Sequence, residues 1–545
     1  MEQDYNLVGL FEEAIRSNWD EISLIDYGGE SYTYREVGEN IKKIHSFFKA
    51  AGISKGDKIA LLGKNSAYWG ILYLATITYG AVIVPLLPDF KPQDVQPIIN
   101  HSDSVILFVD EGLYKNLDQT SMPQLKLILR IPDLYIYYSS DSVSAERISE
   151  IHKQSPEIKP EEFFLPRFSR EDIAVISYTS GTTGFSKGVI LQHRSLLGNL
   201  IYAQQNMFLE KGNTILSFLP MAHTFGCAFE FLFPFTRGCR ITFLNKMPSP
   251  TNLITAFNEV RPSLILSVPL MIEKIFKSSI LPVLHKPSMK VMIRIPVLNL
   301  LLYKTIRKKL SDFFGGNFKE LVIGGAPLNP MVERFFRKIK FNFTVGYGMT
   351  ECGPLISYAS WNTTRPGASG RIVDELEMKI DSVDWYNIPG EILLRGSHVM
   401  MGYYKNEEAT RAVLDPDGWL HTGDLATIDK ERNIYIKGRS KSILLGPSGK
   451  NIYPEELESI LNNRFMVMES LVVQRDNKLV ALIYPDADAM GKAGVTEEHL
   501  PEVLKGYLHD LNERVPKYMA VSDFIIQKEE FEKTPKKNIK RFIYQ

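Results

Sequence analysis

A short segment rich in small and hydroxylated residues, YTSGTTGFSKG, occupies positions 178–188. Its glycines let a ligand approach the backbone, and its hydroxyl groups and the mobile charge of Lys187 offer hydrogen-bond donors. These groups suit an oligophosphate, and the candidate phosphate-binding residues are Ser180, Gly181, Thr182, Thr183, Gly184 and Lys187. Because Lys187 is followed by Gly188 rather than by Ser or Thr, the segment is not a Walker motif. An ordinary surface loop has a similar composition, so other motifs must decide.

Three further motifs carry groups that can bind a nucleotide. GGAP at 324–327 follows an apolar run, and small residues after a strand allow a flat base to approach. In GYGMTE at 346–351, the Tyr347 ring can stack on a purine and the Glu351 carboxylate can bind magnesium. In GWLHTGD, Asp424 can accept hydrogen bonds from two ribose hydroxyls. Each motif alone also fits an ordinary turn, and only their combination indicates a nucleotide site.

His223 lies in another turn of small residues, PMAHTFG at 220–226, directly after an apolar run that predicts a strand. An imidazole there can reach a ligand, although a lone histidine is more often packed or solvated. The phenylalanine-rich sequence CAFEFLFPF follows at 227–235. Its rings either line an acyl tunnel or form the core of a buried helix.

In chain order, these motifs resemble those of the adenylate-forming superfamily, which comprises acyl-CoA synthetases, luciferases and peptide-synthetase adenylation domains. The resemblance spans most of the chain. It implies that ATP binds to the phosphate loop and to a second group of residues: Gly325, Ala326, Pro327, Gly346, Tyr347, Gly348, Met349, Thr350, Asp424 and Arg439. It also implies that Thr183 and Glu351 act in catalysis and bind Mg²⁺, and that His223 lies beside the substrate carboxylate and the α-phosphate.

The chain departs from the superfamily pattern at a lysine near the C-terminus. This lysine clamps the acyl carboxylate and the α-phosphate during adenylation, but here the matching run is KTPKKNIKR and the expected position holds Asn538. We expect Lys537, one residue earlier, to take this catalytic role, because losing a charge that neutralises the transition state would be costly. Lys540 is the alternative. A further interpretation treats all these residues as solvated tail lysines.

Strands that alternate with helices predict an α/β fold with parallel sheets. A chain of 545 residues is too long for one simple core. The resemblance implies an N-terminal domain, residues 1–437, that binds the acid and ATP and contains two Rossmann-like α/β subdomains and a small β-barrel. It implies a small mobile α+β C-terminal domain, residues 438–545, which acts as a lid and rotates about Lys441. Short strands and turns at 369–437 also predict the barrel from the residues themselves.

Charge, cysteine usage and hydrophobic segments indicate the expected partners and the expected location of the protein. Lys plus Arg and Asp plus Glu number 63 each, so net charge does not predict a nucleic-acid partner. The three cysteines form no CxxC motif, which favours a reducing compartment, and the N-terminus lacks a signal-peptide pattern, so we predict a cytoplasmic protein. The uncharged segment 65–88 is long enough for a bilayer span, but Gly80 and Pro85 divide it and predict a buried helix followed by a strand.

A basic stretch begins at Lys274 and ends at Lys309, and it contains nine Lys and Arg residues and no acidic residue. A basic amphipathic helix can lie on an anionic membrane, which would make this cytoplasmic protein peripheral to the membrane. The alternative is a solvated basic face whose apolar side packs on the domain.

The resemblance predicts an enzyme that uses ATP and Mg²⁺ to convert a carboxylic acid to acyl-AMP and then transfers the acyl group to CoA. Within the superfamily, the single long chain, the LPMAHTFG segment and the phenylalanine-rich stretch most resemble long-chain fatty acid ligases, so this resemblance implies a long-chain fatty acid as substrate. Three alternatives are an adenylating ligase that loads a carrier protein, a ligase for medium-chain or aryl acids, and a non-catalytic nucleotide-binding protein. The non-catalytic alternative is raised by Asn538, which stands where the superfamily has its catalytic lysine.

Overall fold

The computed structural model describes residues 6–140, 158–180, 186–246, 249–445, 451–476, 478–533 and 539–545. Five predicted site residues lie outside these ranges: Gly181, Thr182, Thr183, Gly184 and Lys537. The other predicted site residues lie within them.

The largest sheet has eight strands. In spatial order they are Gly402–Tyr403, Ser186–Gln192, Ile173–Ser180, Val82–Leu86, Lys58–Leu62, Ser104–Asp110, Leu127–Ile131 and Ile136–Ser139. The central strands are parallel, as the alternation of strands and helices predicts. Each intervening helix returns the chain to the end of the sheet where the previous strand began, so the next strand runs in the same direction. The α-helices within the described residues of this part of the chain are Leu7–Ser17, Tyr34–Ala50, Ala67–Tyr79, Pro92–His101, Glu111–Tyr114 and His193–Asn206.

The uncharged segment forms the predicted buried helix and strand. The helix Ala67–Tyr79 begins at Ser66, whose hydroxyl accepts a hydrogen bond from the Trp69 amide, and ends at Gly80 with φ of 87°. The strand Val82–Leu86 follows and is buried along its whole length. Among the residues that the structure describes, no helix is long and apolar enough to cross a membrane.

A second α/β unit contains two neighbouring sheets. The strands of the first are Thr214–Ser217, Arg240–Phe243, Ile22–Asp26 and Ser31–Thr33, and those of the second are Leu264–Ser267, Glu320–Ile323 and Phe343–Val345. The second sheet is parallel, with Ser267 opposite Ile323 and Ile323 opposite Val345. Since these strands end at one edge, the GGAP and GYGMTE motifs begin side by side, where open α/β sheets bind ligands.

Antiparallel strands follow, as predicted for the barrel region. Four form a sheet in the order Leu376–Asp381, Gly390–Gly396, Leu420–Ile428 and Ile434–Arg439, and three form a smaller sheet, Tyr347–Gly348, Leu355–Tyr358 and Arg371–Ile372. Buried and exposed residues alternate strictly along Leu376–Asp381, which is typical of a sheet with one solvated face.

The C-terminal part mixes helices and strands around a hydrophobic cluster of its own. Its main elements are Pro454–Asn462, Val467–Arg475, Lys478–Pro485, Ala487–Ala493, Leu500–Asn512 and Val521–Ile526. Among the residues that the structure describes, the remaining α-helices of four or more residues are Phe233–Thr236, Pro250–Val260, Pro269–Ile275, Leu281–His285, Pro287–Arg294, Pro296–Phe313, Pro330–Lys338 and Glu407–Arg411. The domain boundary at residue 438 and the mobility of the C-terminal part stay predictions.

Candidate active site

A cleft of about 970 Å³ opens where the second α/β unit faces the C-terminal part. Eight of the predicted nucleotide-binding residues line it: Gly325, Ala326, Pro327, Gly346, Tyr347, Gly348, Asp424 and Arg439. Glu455, Glu456 and Arg464 contribute to the opposite wall. A volume of this size accommodates a nucleotide, since ligand pockets commonly measure about 300–1,000 Å³.

Asp424 is held by partners from two different motifs. The Tyr347 hydroxyl donates to Asp424 Oδ2 at 2.7 Å, and Arg439 Nε lies 3.2 Å from Asp424 Oδ1. Asp424 and Arg439 face each other across adjacent strands, which fixes this pairing. Burial raises the pKa of Asp424, and Arg439 and the Tyr347 hydroxyl oppose this shift by favouring its charged form. The fold thus brings together three residues that are 77 and 15 positions apart, and all three line the cleft.

Glu351 lies in a short turn, Thr350–Cys352, beside the strand Gly402–Tyr403. The Tyr403 hydroxyl donates to Glu351 Oε1 at 2.9 Å, and the Met400 amide donates to the Glu351 carbonyl at 2.8 Å. Burial and the neighbouring carboxylate raise the pKa of Tyr403, so its hydroxyl stays protonated and available as a donor.

Lys187 Nζ lies over the ring of Tyr403, 4.8 Å from the ring centroid. This arrangement follows from strand pairing, because Tyr403 is opposite Val189 and the Tyr404 amide donates to the Gly188 carbonyl at 2.7 Å. Tyr403 therefore connects a candidate phosphate-binding cation with a candidate magnesium ligand. Sequence reasoning missed this residue, and its only local signal was the glycine-aromatic sequence GYY.

Replacing Tyr403 with phenylalanine should slow acyl-AMP formation by about tenfold, since a hydrogen bond to a charged group contributes about 1.5 kcal/mol. The ring beneath Lys187 would remain. Pyrophosphate release under single-turnover conditions measures the effect. Tyr404→Phe is the matched control, because the Tyr404 hydroxyl donates to Asp103 instead. Equal losses in both variants would contradict a specific role for Tyr403.

The other phosphate-loop residues within the described ranges also come from paired strands. Thr179 is opposite Lys187 and Ser180 is opposite Ser186, so the strands that flank positions 181–185 form a hairpin. Of the remaining nucleotide-site candidates, Met349 is partly buried and Thr350 is buried, next to the cleft-lining Gly348.

His223 forms the N-cap of a short helix, Thr224–Gly226, and its Nδ1 accepts a hydrogen bond from the Phe225 amide at 3.2 Å. The Phe225 ring packs against Gly324, where an added Cβ would lie 3.0 Å from the ring. The His223 turn is therefore next to the GGAP motif, although the two are about a hundred residues apart.

A buried glutamate supports the His223 turn and was missed by sequence reasoning. Glu230 Oε2 accepts hydrogen bonds from the Phe218 and Leu219 amides at 3.0 and 2.9 Å, directly before the turn. Burial raises the pKa of Glu230 well above its usual range. The polar residue within an otherwise apolar run was the available sequence signal.

The phenylalanines around Glu230 belong to the hydrophobic core. Phe229, Phe231, Phe233 and Phe235 are each at most 1% exposed and pack within the main cluster. A void of about 10 Å³ adjoins this region, lined by Cys227, Ala228 and Leu232 among others, and its volume is that of about one water molecule at most, far too small for an acyl chain. Of the two interpretations of this stretch, the buried core is the one that the structure supports.

Lys441 is exposed in a short turn, Ser440–Ser442, which follows the last strand of the four-stranded sheet. Lys540 Nζ lies 3.4 Å from Glu532 Oε2, and Lys533 Nζ lies 2.7 Å from Glu469 Oε1. The three cysteines are free and buried.

A family model described as AMP-binding enzyme matches residues 11–404, which include the phosphate loop, the GGAP and GYGMTE motifs and Tyr403. The chain belongs to the AMP-binding enzyme family. A peroxisomal long chain acyl-CoA synthetase 6 from Arabidopsis thaliana is 30% identical over 496 residues, covering 85% of this chain and 70% of that protein. A long-chain-fatty-acid–CoA ligase, FadD15, from Mycobacterium bovis is 27% identical, and the match covers 86% of this chain and 79% of that protein.

Solved structures of low sequence identity share the fold of this chain. The crystal structure of the anthranilate CoA ligase AuaEII with anthranoyl-AMP has a TM-score of 0.81 at 19% identity, covering 100% of this chain and 97% of that one. The predicted α/β fold and the membership of the adenylate-forming superfamily are thus confirmed. The protein is an AMP-forming acid–CoA ligase.

Proposed function

We propose that this ligase activates a long-chain fatty acid with Mg-ATP and transfers the acyl group to CoA. One observation supports ATP binding: Tyr347, Asp424 and Arg439 contact one another in the wall of the cleft. The choice of acid is supported by the two relatives named as long-chain ligases or synthetases. Acyl-AMP, pyrophosphate and acyl-CoA with AMP are then the successive products.

In the first half-reaction, a carboxylate oxygen of the acid attacks the α-phosphorus, and the bond between that phosphorus and the pyrophosphate oxygen breaks. Lys187 and the hydroxyls of Ser180, Thr182 and Thr183 bind the leaving pyrophosphate. Asp424 accepts hydrogen bonds from the ribose hydroxyls, and the Tyr347 ring stacks on the adenine. His223 and Lys537 contact the carboxylate and the α-phosphate. Catalysis consists of positioning and charge stabilisation.

Glu351 fits a magnesium ligand. Tyr403 holds Glu351 Oε1, which orients the carboxylate. Within the described residues, no group of three or more His, Cys, Asp or Glu side chains could hold a metal alone. Mg²⁺ is usually bound by one or two carboxylates together with substrate phosphates, so Glu351, Thr183 and ATP form a suitable donor set. Bound Mg²⁺ neutralises phosphate charge.

In the second half-reaction, the CoA thiolate attacks the acyl carbon and AMP leaves. Acyl-AMP is a reactive mixed anhydride and must be kept from water. Rotation of the C-terminal part about Lys441 would withdraw Lys537 after adenylation and open the site to the thiol.

Replacing Lys441 with proline should leave pyrophosphate release within about threefold of the unmodified enzyme and lower thioester formation about a hundredfold, because proline fixes the φ angle at the hinge. Separate single-turnover assays of the two half-reactions provide the measurement. Lys441→Ala removes the same side chain but keeps backbone freedom, so it should retain thioester formation. Equal loss of both half-reactions in the proline variant would refute the hinge role.

The substrate proposal is tested by measuring pyrophosphate release and CoA-thioester formation over saturated acids from acetate to stearate and several aryl acids, with and without CoA. We expect activity to rise toward long chains and thioester to form only with CoA. Activity with aryl or medium-chain acids alone would overturn the choice of acid. Acyl-AMP formation without transfer to CoA would instead indicate a carrier-protein acceptor.

A further inference from the structure

The basic stretch contains an exposed apolar tip, which we define as residues 295–301 at the start of the helix Pro296–Phe313. Ile295, Leu298, Leu300 and Leu301 are all exposed there, with Leu300 71% and Leu301 58% exposed. Single exposed apolar residues are normal on protein surfaces, but four within seven positions form a cluster. The tip is therefore a candidate contact surface for an apolar partner.

The opposite face of the same helix is packed against the protein. Leu302, Tyr303 and Leu310 are buried, and Tyr303 and Leu310 belong to the second hydrophobic cluster. With about 100° of rotation per residue, Leu300, Leu301, Lys304 and Lys308 project away from this buried face. The helix is thus held on one side while its outer face presents leucines near the N-terminus and lysines after them.

Exposed lysines flank the tip in the sequence. Lys286, Lys304, Lys308 and Lys309 are exposed. Within the part of the chain that the structure describes, none of these four lysines forms an ion pair. Leucines that protrude beside unpaired lysines match an anionic bilayer, where apolar groups enter the interface and ammonium groups approach lipid phosphates. A nucleic acid would satisfy the lysines only, and the leucines would stay in water.

We propose that the apolar tip docks this protein on the surface of an anionic phospholipid bilayer. Ile295, Leu298, Leu300 and Leu301 enter the headgroup–acyl boundary, and the exposed lysines contact the phosphates. Leu281, in the helix Leu281–His285 of the same stretch, lines the cleft, so one group of helices joins the tip to the candidate active site. Docking would hold the cleft near the bilayer, where apolar acids partition.

The test is co-sedimentation of the full chain with phosphatidylcholine vesicles that contain or lack phosphatidylserine, at low and high salt. We expect binding to the anionic vesicles only, and weaker binding as salt increases. Leu300→Gln with Leu301→Gln should lower the partition constant at least tenfold. Lys304→Gln with Lys308→Gln should lower it about fivefold for each lysine removed.

Val383→Gln is the matched control, because Val383 is 96% exposed but lies outside the basic stretch, and its binding should be unchanged. A variant counts as folded when its thermal unfolding temperature equals that of the unmodified protein. Binding that is equal on neutral vesicles, absent, or unaffected by the leucine changes would overturn the proposal. The assay contains no acid, ATP or CoA, so its outcome is independent of the proposed substrate.

Discussion

Replacing Lys537 with alanine should lower the rate of acyl-AMP formation by about 10²–10³-fold, the range measured when one preorganised charge-stabilising donor is removed from an active site. The developing negative charge between the carboxylate and the α-phosphate would lose its cation. Pyrophosphate release in single turnovers measures this step directly. Thioester formation from supplied acyl-AMP should change far less, because the lysine acts in adenylation only.

The neighbouring lysines explain the choice of Lys537. Lys533 lies within ion-pair distance of Glu469 and Glu530, and Lys540 lies near Glu532, so carboxylates already compensate both charges. The superfamily pattern places the lysine at position 538, which holds asparagine here, and Lys537 is adjacent to it. Lys537 itself lies outside the described residues, so its assignment is a prediction from the sequence and from these neighbours.

Lys540→Ala is the matched control and should keep adenylation within about twofold, since surface ion pairs contribute little. If Lys540→Ala abolishes adenylation while Lys537→Ala leaves it unchanged, Lys540 is the catalytic residue. If neither change affects adenylation, the tail lysines are solvated, and another cation neutralises the charge that develops between the carboxylate and the α-phosphate.

Glu351→Gln should lower the rate of acyl-AMP formation by at least about a hundredfold at moderate Mg²⁺ and raise the Mg²⁺ concentration needed for half-maximal activity. The substitution keeps the shape of the side chain and an oxygen that accepts from Tyr403, so the hydrogen bond at 2.9 Å can persist. Only the charge is lost, and Mg²⁺ prefers anionic oxygen ligands. Titrating Mg²⁺ at fixed ATP in the pyrophosphate-release assay separates metal binding from folding.

Glu377→Gln is the control for this change, because Glu377 is an exposed glutamate that pairs with Arg395 at 2.7 Å on the antiparallel sheet. It should behave like the unmodified enzyme. A Glu351→Gln variant with an unchanged Mg²⁺ dependence would exclude Glu351 as a ligand. A loss of activity that high Mg²⁺ does not relieve, accompanied by a lower unfolding temperature, would instead assign Glu351 a structural role.

The contact between Tyr403 and Glu351 predicts which of their substitutions lowers acyl-AMP formation more. Tyr403→Phe should resemble a mild form of Glu351→Gln, since the tyrosine acts through the carboxylate. High Mg²⁺ should therefore rescue Tyr403→Phe more completely than Glu351→Gln. This comparison distinguishes a positioning role from simple destabilisation, which Mg²⁺ would not repair.

Local patterns in the sequence were sufficient for much of the fold. The helix Ala67–Tyr79 and the strand Val82–Leu86 were predicted because an uncharged apolar run and the glycine and proline that divide it act within a few residues. The cleft residues Gly325, Tyr347 and Asp424 each lie in a short contiguous motif, and the combination of these motifs in chain order was enough to indicate a nucleotide site.

The tertiary structure decided what depends on contacts between distant parts of the chain. Tyr403 reaches Lys187 and Glu351 only because the strand Gly402–Tyr403 pairs with Ser186–Gln192, and no local pattern encodes that pairing. The phenylalanines at 227–235 fit both a tunnel and a core until their neighbours were known. Likewise, the sequence established that the stretch from Lys274 to Lys309 is basic, but which leucines face outward depends on the packing of Tyr303 and Leu310. The sequence determined local conformation and the chemical groups, whereas burial and long-range pairing determined which groups meet.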